Sequence, residues 1–199
     1  MYSKAINYLS KDPVLNKVIT EIELISSAGN KGVYQSLLRS ITSQQLSVKA
    51  AATIHRRFLE LFENKDPHPQ ALLNKNTDEL RATGLSKQKS AYMQNIANFF
   101  IINRLEGIDW INKSDTDIID LLTQIKGVGI WTVQMILMFS LNRPDVFPTG
   151  DLGIQQAMKK LYGLKGKGSE LIKEMNKIAQ NWGPYKTVAC RYLWKWKDK

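Results

Sequence analysis

The sequence predicts an all-α protein of two helical lobes packed around a cleft. Apolar residues recur at helical spacing almost throughout, strict alternation is almost absent, and Gly, Pro or Asn signals interrupt the apolar runs at ordinary helix lengths. Val14, Val18, Ile22 and Ile25 share one helical face, as do Ala51, Ile54, Phe58 and Leu61, and then Tyr92, Ile96, Phe99 and Phe100. Ile118, Leu121, Leu122 and Ile125 make the next set. Val133, Ile136 and Leu137 follow, then Ile154, Ala157, Met158 and Leu161, then Leu171, Met175, Ile178 and Trp182. About ten helices are expected. The breaks fall at Gly29-Asn30, Pro67-His68-Pro69, Gly84, Gly107, Gly127-Val128-Gly129, Pro144 to Pro148, Gly163 to Gly168 and Gly183-Pro184. One lobe is expected over residues 25–110. The other takes 111–199 together with the N-terminal helix, both within one compact core of residues 1–199.

Composition narrows the function classes. A chain of 199 residues, 43% of them hydrophobic, suffices for one well-buried domain or two small lobes. No window approaches the roughly 18–20 apolar residues of a membrane span. The first residues are broken by Lys4, Asn7, Ser10 and Lys11, so the apolar run of a secretory signal is not expected. Cys190 is the only cysteine, which excludes an internal disulfide, a CxxC redox pair and any four-cysteine metal or cluster site. His55 and His68 read as surface residues rather than ligands. The net charge is +10, and residues 159–199 hold eleven Lys and Arg against three acids. Such an excess reads either as a phosphate-binding surface, which gains affinity by displacing counterions, or as a solvated lysine-rich helical face.

The most informative stretch runs from Leu121 through Gln124-Ile125-Lys126-Gly127-Val128-Gly129-Ile130-Trp131-Thr132 to Val133. One amphipathic helix ends, two glycines flank a single apolar residue, and another helix begins. Gly127 and Gly129 permit positive φ and close approach of another backbone. Their amides lie at a helix N-terminus, where unpaired N–H groups and the helix dipole favour a phosphate oxygen. This is the arrangement of a helix-hairpin-helix motif, against which stands the plainer reading of a tight helical turn. Twenty residues after Trp131 comes Asp151, between the Pro148/Gly150 turn and the next amphipathic run. An aspartate there is commonly an N-cap, worth about 1 kcal/mol.

Taken together, the hairpin, Trp131 and Asp151 resemble the helix-hairpin-helix DNA glycosylase superfamily, in particular its 3-methyladenine DNA glycosylase II family. The resemblance runs from about Leu37 to Trp194. The segment from Leu38 to Ala51, with Gln44, Gln45, Leu46 and Ser47 at its centre, looks like the family's DNA-facing turn, with Gln45 or Leu46 as the wedge that fills the gap left by an extruded nucleotide. Helix caps from Ser43 and Ser47 are the structural reading of the same residues. The resemblance makes Asp151 the catalytic carboxylate, and Trp131, Met135 and Trp194 the base pocket. Trp194 also suits an ordinary core position.

The implied reaction is hydrolysis of the N-glycosidic bond of an alkylated purine, of the 3-methyladenine or 7-methylguanine type, initiating base excision repair. Asp151 would stabilise an oxocarbenium-like sugar or activate water. An alkylated base is a cationic leaving group, so a second carboxylate is unnecessary, and aromatic rings can hold it by stacking and cation–π attraction. Strand-cutting members carry a Schiff-base lysine where this chain has Trp131, so no intrinsic lyase activity is expected, with Lys126 the nearby amine. Family hairpins tend to hold a monovalent cation. Here the backbone carbonyls of Thr123, Ile125 and Val128 would bind Na+ or K+, and no cofactor is required. Two departures stand out: Met135 replaces a pocket tyrosine of a relative, and the extra N-terminal sheet domain of longer members is not expected. The implied partner is double-stranded DNA bearing a damaged base. A monomer without membrane association is expected, cytoplasmic and nucleoid-associated, or nuclear in a eukaryote. Two alternatives stay open: a non-enzymatic helix-hairpin-helix DNA-binding module, and a glycosylase for oxidised or deaminated bases.

Overall fold

The computed structural model describes residues 2–24 and 32–199, so Ile25 and the Gly29-Asn30 break lie outside the described residues. Those residues form α-helices and 3-10 turns, with no strand among them. In chain order the helices are α1 (Ser3–Leu9), α2 (Pro13–Glu21), α3 (Val33–Ser43), α4 (Val48–Leu59), α5 (Pro69–Leu73) and α6 (Thr77–Ala82). They continue as α7 (Lys87–Ile102), α8 (Asp115–Leu122), α9 (Ile130–Phe139), α10 (Leu152–Tyr162), α11 (Gly168–Ala179) and α12 (Lys186–Lys197). The expectation of about ten missed the shortest. Five and six residues, as in α5 and α6, give too few turns for an apolar period to show. A local signal was nonetheless present for α6, because Asn76 and Glu79 close a capping box at its start.

The chain divides into two compact units, Met1–Gly29 with Leu137–Lys199, and Asn30–Ile136. The boundary expected near residue 110 falls instead inside α9. The reason is local: the hairpin that follows α8 is held by α7, with Tyr92 against Gly127 and the Asn95 amide donating to the Lys126 carbonyl at 3.3 Å. Gly107, at φ +76, turns the chain without ending the unit.

In the unit of residues 30–136, α7 packs against α3, α5 and α6, and α3 against α4. Met93, Ile96 and Ala97 of α7 are buried, as are Leu37, Leu38 and Ile41 of α3, Leu72 of α5 and Leu80 of α6. Ser86 and Ser114 cap the starts of α7 and α8. In the other unit α12 packs on α10 and α2, and α10 also on α11. Leu15, Val18, Met158, Met175, Trp182 and Leu193 are buried there. Asp12 caps α2, and Gly163 ends α10 in the left-handed region that a glycine adopts without a Cβ penalty. Cys190 is fully buried in α12, and burial pushes its thiol well above the usual range, which makes it inert packing.

Candidate active site

Asp151 sits at the N-cap of α10 with extended backbone, φ −75° and ψ 119°. Its Oδ1 accepts two hydrogen bonds, from the Ile154 amide at 2.8 Å and from the Trp194 indole Nε1 at 2.8 Å. The capping reading is therefore correct and incomplete. A cap explains the first bond; the second comes from α12 and fixes the carboxylate from outside its own helix. Trp194 is half-buried, its ring 5.9 Å from that of Phe139. Gly153 completes the fit, because a Cβ there would lie 3.0 Å from Asp151 Oδ1 and 3.1 Å from Trp194 Cδ1.

The loop that delivers Asp151 is anchored to the start of α12. Thr187 Oγ1 donates to the Arg143 carbonyl at 2.6 Å and accepts from the Val146 amide at 3.1 Å, while the Thr187 amide donates to the Pro144 carbonyl at 2.9 Å. Asp145 accepts from Lys186 Nζ at 2.7 Å. Asp151 and its partner Trp194 thus depend on the same helix at both ends of the loop. Beside them Leu152 is 70% exposed, an apolar side chain facing solvent next to a carboxylate.

The hairpin and the 44–47 turn belong to the other unit. Gly127 has φ +103°, and a Cβ on it would fall 2.3 Å from Tyr92 Cγ. Gly129 differs: its φ is not in the left-handed region, and among the described residues a Cβ there would meet no atom within 4 Å beyond its chain neighbours. The expectation that both glycines serve backbone geometry therefore holds for Gly127 alone, because only Gly127 lies against a neighbouring ring. Gly129 opens α9 toward solvent. Gly127→Ala is expected to cost about 2 kcal/mol, from left-handed strain plus overpacking against Tyr92. Thermal melting checks this, and an unchanged melting temperature would mean that Tyr92 moves aside freely. Trp131 is 42% and Ile130 58% exposed at the start of α9, and Met135 is half-buried one turn on.

In the turn, Gln44 ends α3, Gln45 takes φ 58°, and Leu46 is 40% exposed. Ser47 caps α4, accepting from the Ala50 amide at 3.3 Å. Ser43 caps no helix start; its hydroxyl donates back to the Arg39 and Ser40 carbonyls at the end of α3. Both histidines have structural surroundings: His68 Nδ1 accepts from the Ala71 amide at the start of α5, and His55 stacks on Phe58.

Several C-terminal cations are engaged within the protein. Besides Lys186, Lys195 donates to the Glu23 carbonyl, Lys160 lies over Trp196, Arg191 lies over Tyr2, and Lys199 faces Glu21 at 3.8 Å. Part of the basic excess is thus spent on packing, which the count of charges did not reveal.

Among the described residues no group of three or more His, Cys, Asp or Glu is placed to hold a metal ion. The carbonyl set offers different chemistry. Thr123 caps the end of α8, where main-chain carbonyls lose intrahelical partners, and the Ile125 carbonyl accepts from the Val128 amide at 2.9 Å with a second lone pair left. Neutral carbonyl oxygens of this kind fit a monovalent cation.

The chain is similar to known proteins over most of its length. Residues 38–184 match the model of the HhH-GPD superfamily base excision DNA repair protein. DNA-3-methyladenine glycosylase 1 of Schizosaccharomyces pombe is 36% identical over 171 residues, covering 85% of this chain and 74% of that protein. The structure of S. pombe 3-methyladenine DNA glycosylase in complex with abasic DNA superposes with a TM-score of 0.82 at 33% identity, covering 99% of this chain and 98% of that one. A DNA-3-methyladenine glycosidase from Bacillus halodurans gives a TM-score of 0.77 at 36% identity, over 96% and 87% of the two chains. With the helical fold, the hairpin and the capped aspartate already established, these matches settle its kinship: the chain belongs to the HhH-GPD superfamily of base excision DNA repair proteins.

Proposed function

We propose that this protein is a monofunctional DNA glycosylase that extrudes alkylated purines from duplex DNA and hydrolyses their N-glycosidic bond, opening base excision repair. The observation that supports it most is the Asp151 carboxylate, held on one oxygen by Ile154 and Trp194 at the head of α10. A carboxylate fixed from two elements keeps its orientation as positive charge develops on the sugar, so it stabilises that charge without reorganising. The kinship with 3-methyladenine glycosylases supports a cationic base as substrate. Such a base leaves without a general acid, and the Trp194 ring, hydrogen-bonded to the Asp151 carboxylate, supplies an aromatic face for it in this reading.

The hairpin and turn serve binding. Extrusion costs a few kcal/mol, and a side chain filling the vacated stack offsets part of it. Gln45 and Leu46 are the residues for this. The amides at Gly127 and Gly129 take a phosphate at the exposed start of α9. A Na+ or K+ held by the carbonyls of Thr123, Ile125 and Val128 would add positive charge for that phosphate. Trp131 has no amine with which to form a Schiff base, so the strand is left intact. The protein acts as a monomer, without a membrane, wherever the genome lies.

The test is incubation with methylated duplex DNA, followed by separate analysis of free bases and strand length. Release of 3-methyladenine or 7-methylguanine with intact abasic strands is expected. DNA binding without release of any base would support a binding module instead, and release of oxidised or deaminated bases alone would move the substrate class. Affinity for abasic duplex is expected to fall at least about tenfold between about 50 and 200 mM salt, as neutralising two or more phosphates requires. Salt-insensitive binding would contradict the phosphate contacts.

A further inference from the structure

Lys89 lies on α7, yet its ammonium serves a different part of the chain. Its Nζ donates to the Gln44 carbonyl at 2.7 Å and to the Thr42 carbonyl at 2.9 Å, 45 and 47 residues away in sequence. These carbonyls flank the end of α3, where main-chain oxygens run out of helical partners and where a cation also meets the negative end of the helix dipole. Two residues are then held in conformations that cost free energy. Gln45 is left-handed without being glycine, and Leu46 keeps an apolar side chain 40% exposed. The local bonds are modest: the Gln44 amide reaches the Ser40 carbonyl and the Leu46 amide the Ser43 carbonyl, both at 3.2 Å.

We infer that Lys89 is a positioning residue for insertion: by clamping the Thr42 and Gln44 carbonyls it holds the 44–46 turn in its strained, projecting shape before DNA arrives. The role rests on the glycosylase reading above and deepens it. A preformed turn spends no binding energy on ordering itself, so more of that energy goes to unstacking the damaged nucleotide. The placement also explains why the clamp comes from α7. Tyr92 and Asn95, one and two turns further along, support Gly127 and the Lys126 carbonyl of the hairpin. One helix face thereby sets the spacing between the two elements that face DNA in this reading, both within the unit of residues 30–136.

The experiment compares the wild type with Lys89→Met and Lys89→Arg. Single-turnover base release is measured from a methylated duplex and from the same lesion in a single strand, which needs no stack to be filled. Insertion is followed separately by the fluorescence of 2-aminopurine placed opposite an abasic site in a duplex. Lys89→Met is expected to slow release from the duplex about 10–100-fold, the loss of two charge-assisted bonds, and release from the single strand by no more than about threefold. The fluorescence change should shrink in parallel. Lys89→Arg, which keeps the charge and reaches at least one carbonyl, should recover most of the duplex rate. Equal losses on both substrates, or an undiminished duplex rate in a Lys89→Met protein that melts like the wild type, would overturn the assignment. A wild type that inserts but releases no base would refute the glycosylase reading alone, and the fluorescence of the variants would still decide the role of Lys89.

Discussion

Asp151→Asn is expected to lower the single-turnover rate of base release by about 10²–10³-fold, the scale on which removing one preorganised electrostatic group acts. The substitution isolates charge from shape. Asparagine is as good an N-cap as aspartate, and its Oδ1 still accepts from the Ile154 amide and the Trp194 indole. The melting temperature should therefore stay within about 2 °C of wild type, a difference of less than about 1 kcal/mol. Binding to abasic duplex should be retained or slightly strengthened, because removing a negative charge lessens repulsion of a polyanion. The signature is thus loss of chemistry with fold and affinity preserved. A variant that keeps more than about a tenth of the wild-type rate would leave Asp151 with its capping role only. Parallel loss of stability and activity would point the same way.

Features decided by a few adjacent residues were legible in the sequence. The helical period, the Gly127-Val128-Gly129 turn, the cap at Asp151 and the cap at Ser47 all follow from local backbone chemistry, and all are present in the structure. What escaped depends on partners distant in the chain. Gly127 and Gly129 look alike in sequence and differ only because Tyr92 lies against the first. Lys89 is one lysine among many until α7 brings it to the carbonyls that end α3. The C-terminal lysines counted as a basic surface, but Asp145, Glu23 and Trp196 engage three of them. The lobe boundary was misplaced for the same reason, since a glycine turn at residue 107 resembles a linker until the elements beyond it are seen to pack back on α7.

Asp12 is the clearest case of a residue that sequence reading passes over, and its removal is expected to have the largest effect on stability. Its Oδ1 caps α2, accepting from the Val14 amide at 2.9 Å and the Leu15 amide at 3.0 Å. Its Oδ2 accepts from the Tyr162 hydroxyl at 2.8 Å and the Trp182 indole at 3.0 Å, so one carboxylate ties α2 to the end of α10 and to the buried Trp182. Burial alone would raise the pKa of this carboxyl, but the bonds from Trp182, Leu15, Tyr162 and Val14 together outweigh it and hold it below the usual range. Burial and then the Asp12 carboxylate push the Tyr162 phenol well above its ordinary value, so it remains a protonated donor. Asp12→Ala loses a cap and leaves two donors without their acceptor, at a cost of about 3–4 kcal/mol and a melting temperature lower by about 6–12 °C. The charge has its own signature. A carboxyl whose folded pKa lies below its unfolded value of about 3.9 contributes stability that is complete above that value and is lost as pH falls through the folded one. The gap in stability between wild type and Asp12→Asn, which cannot titrate, should therefore be constant near neutrality and narrow below about pH 4. Melts of both proteins from pH 7 down to pH 3 measure it, and a gap that does not change across that range would mean that Asp12 acts through shape and hydrogen bonding without its charge.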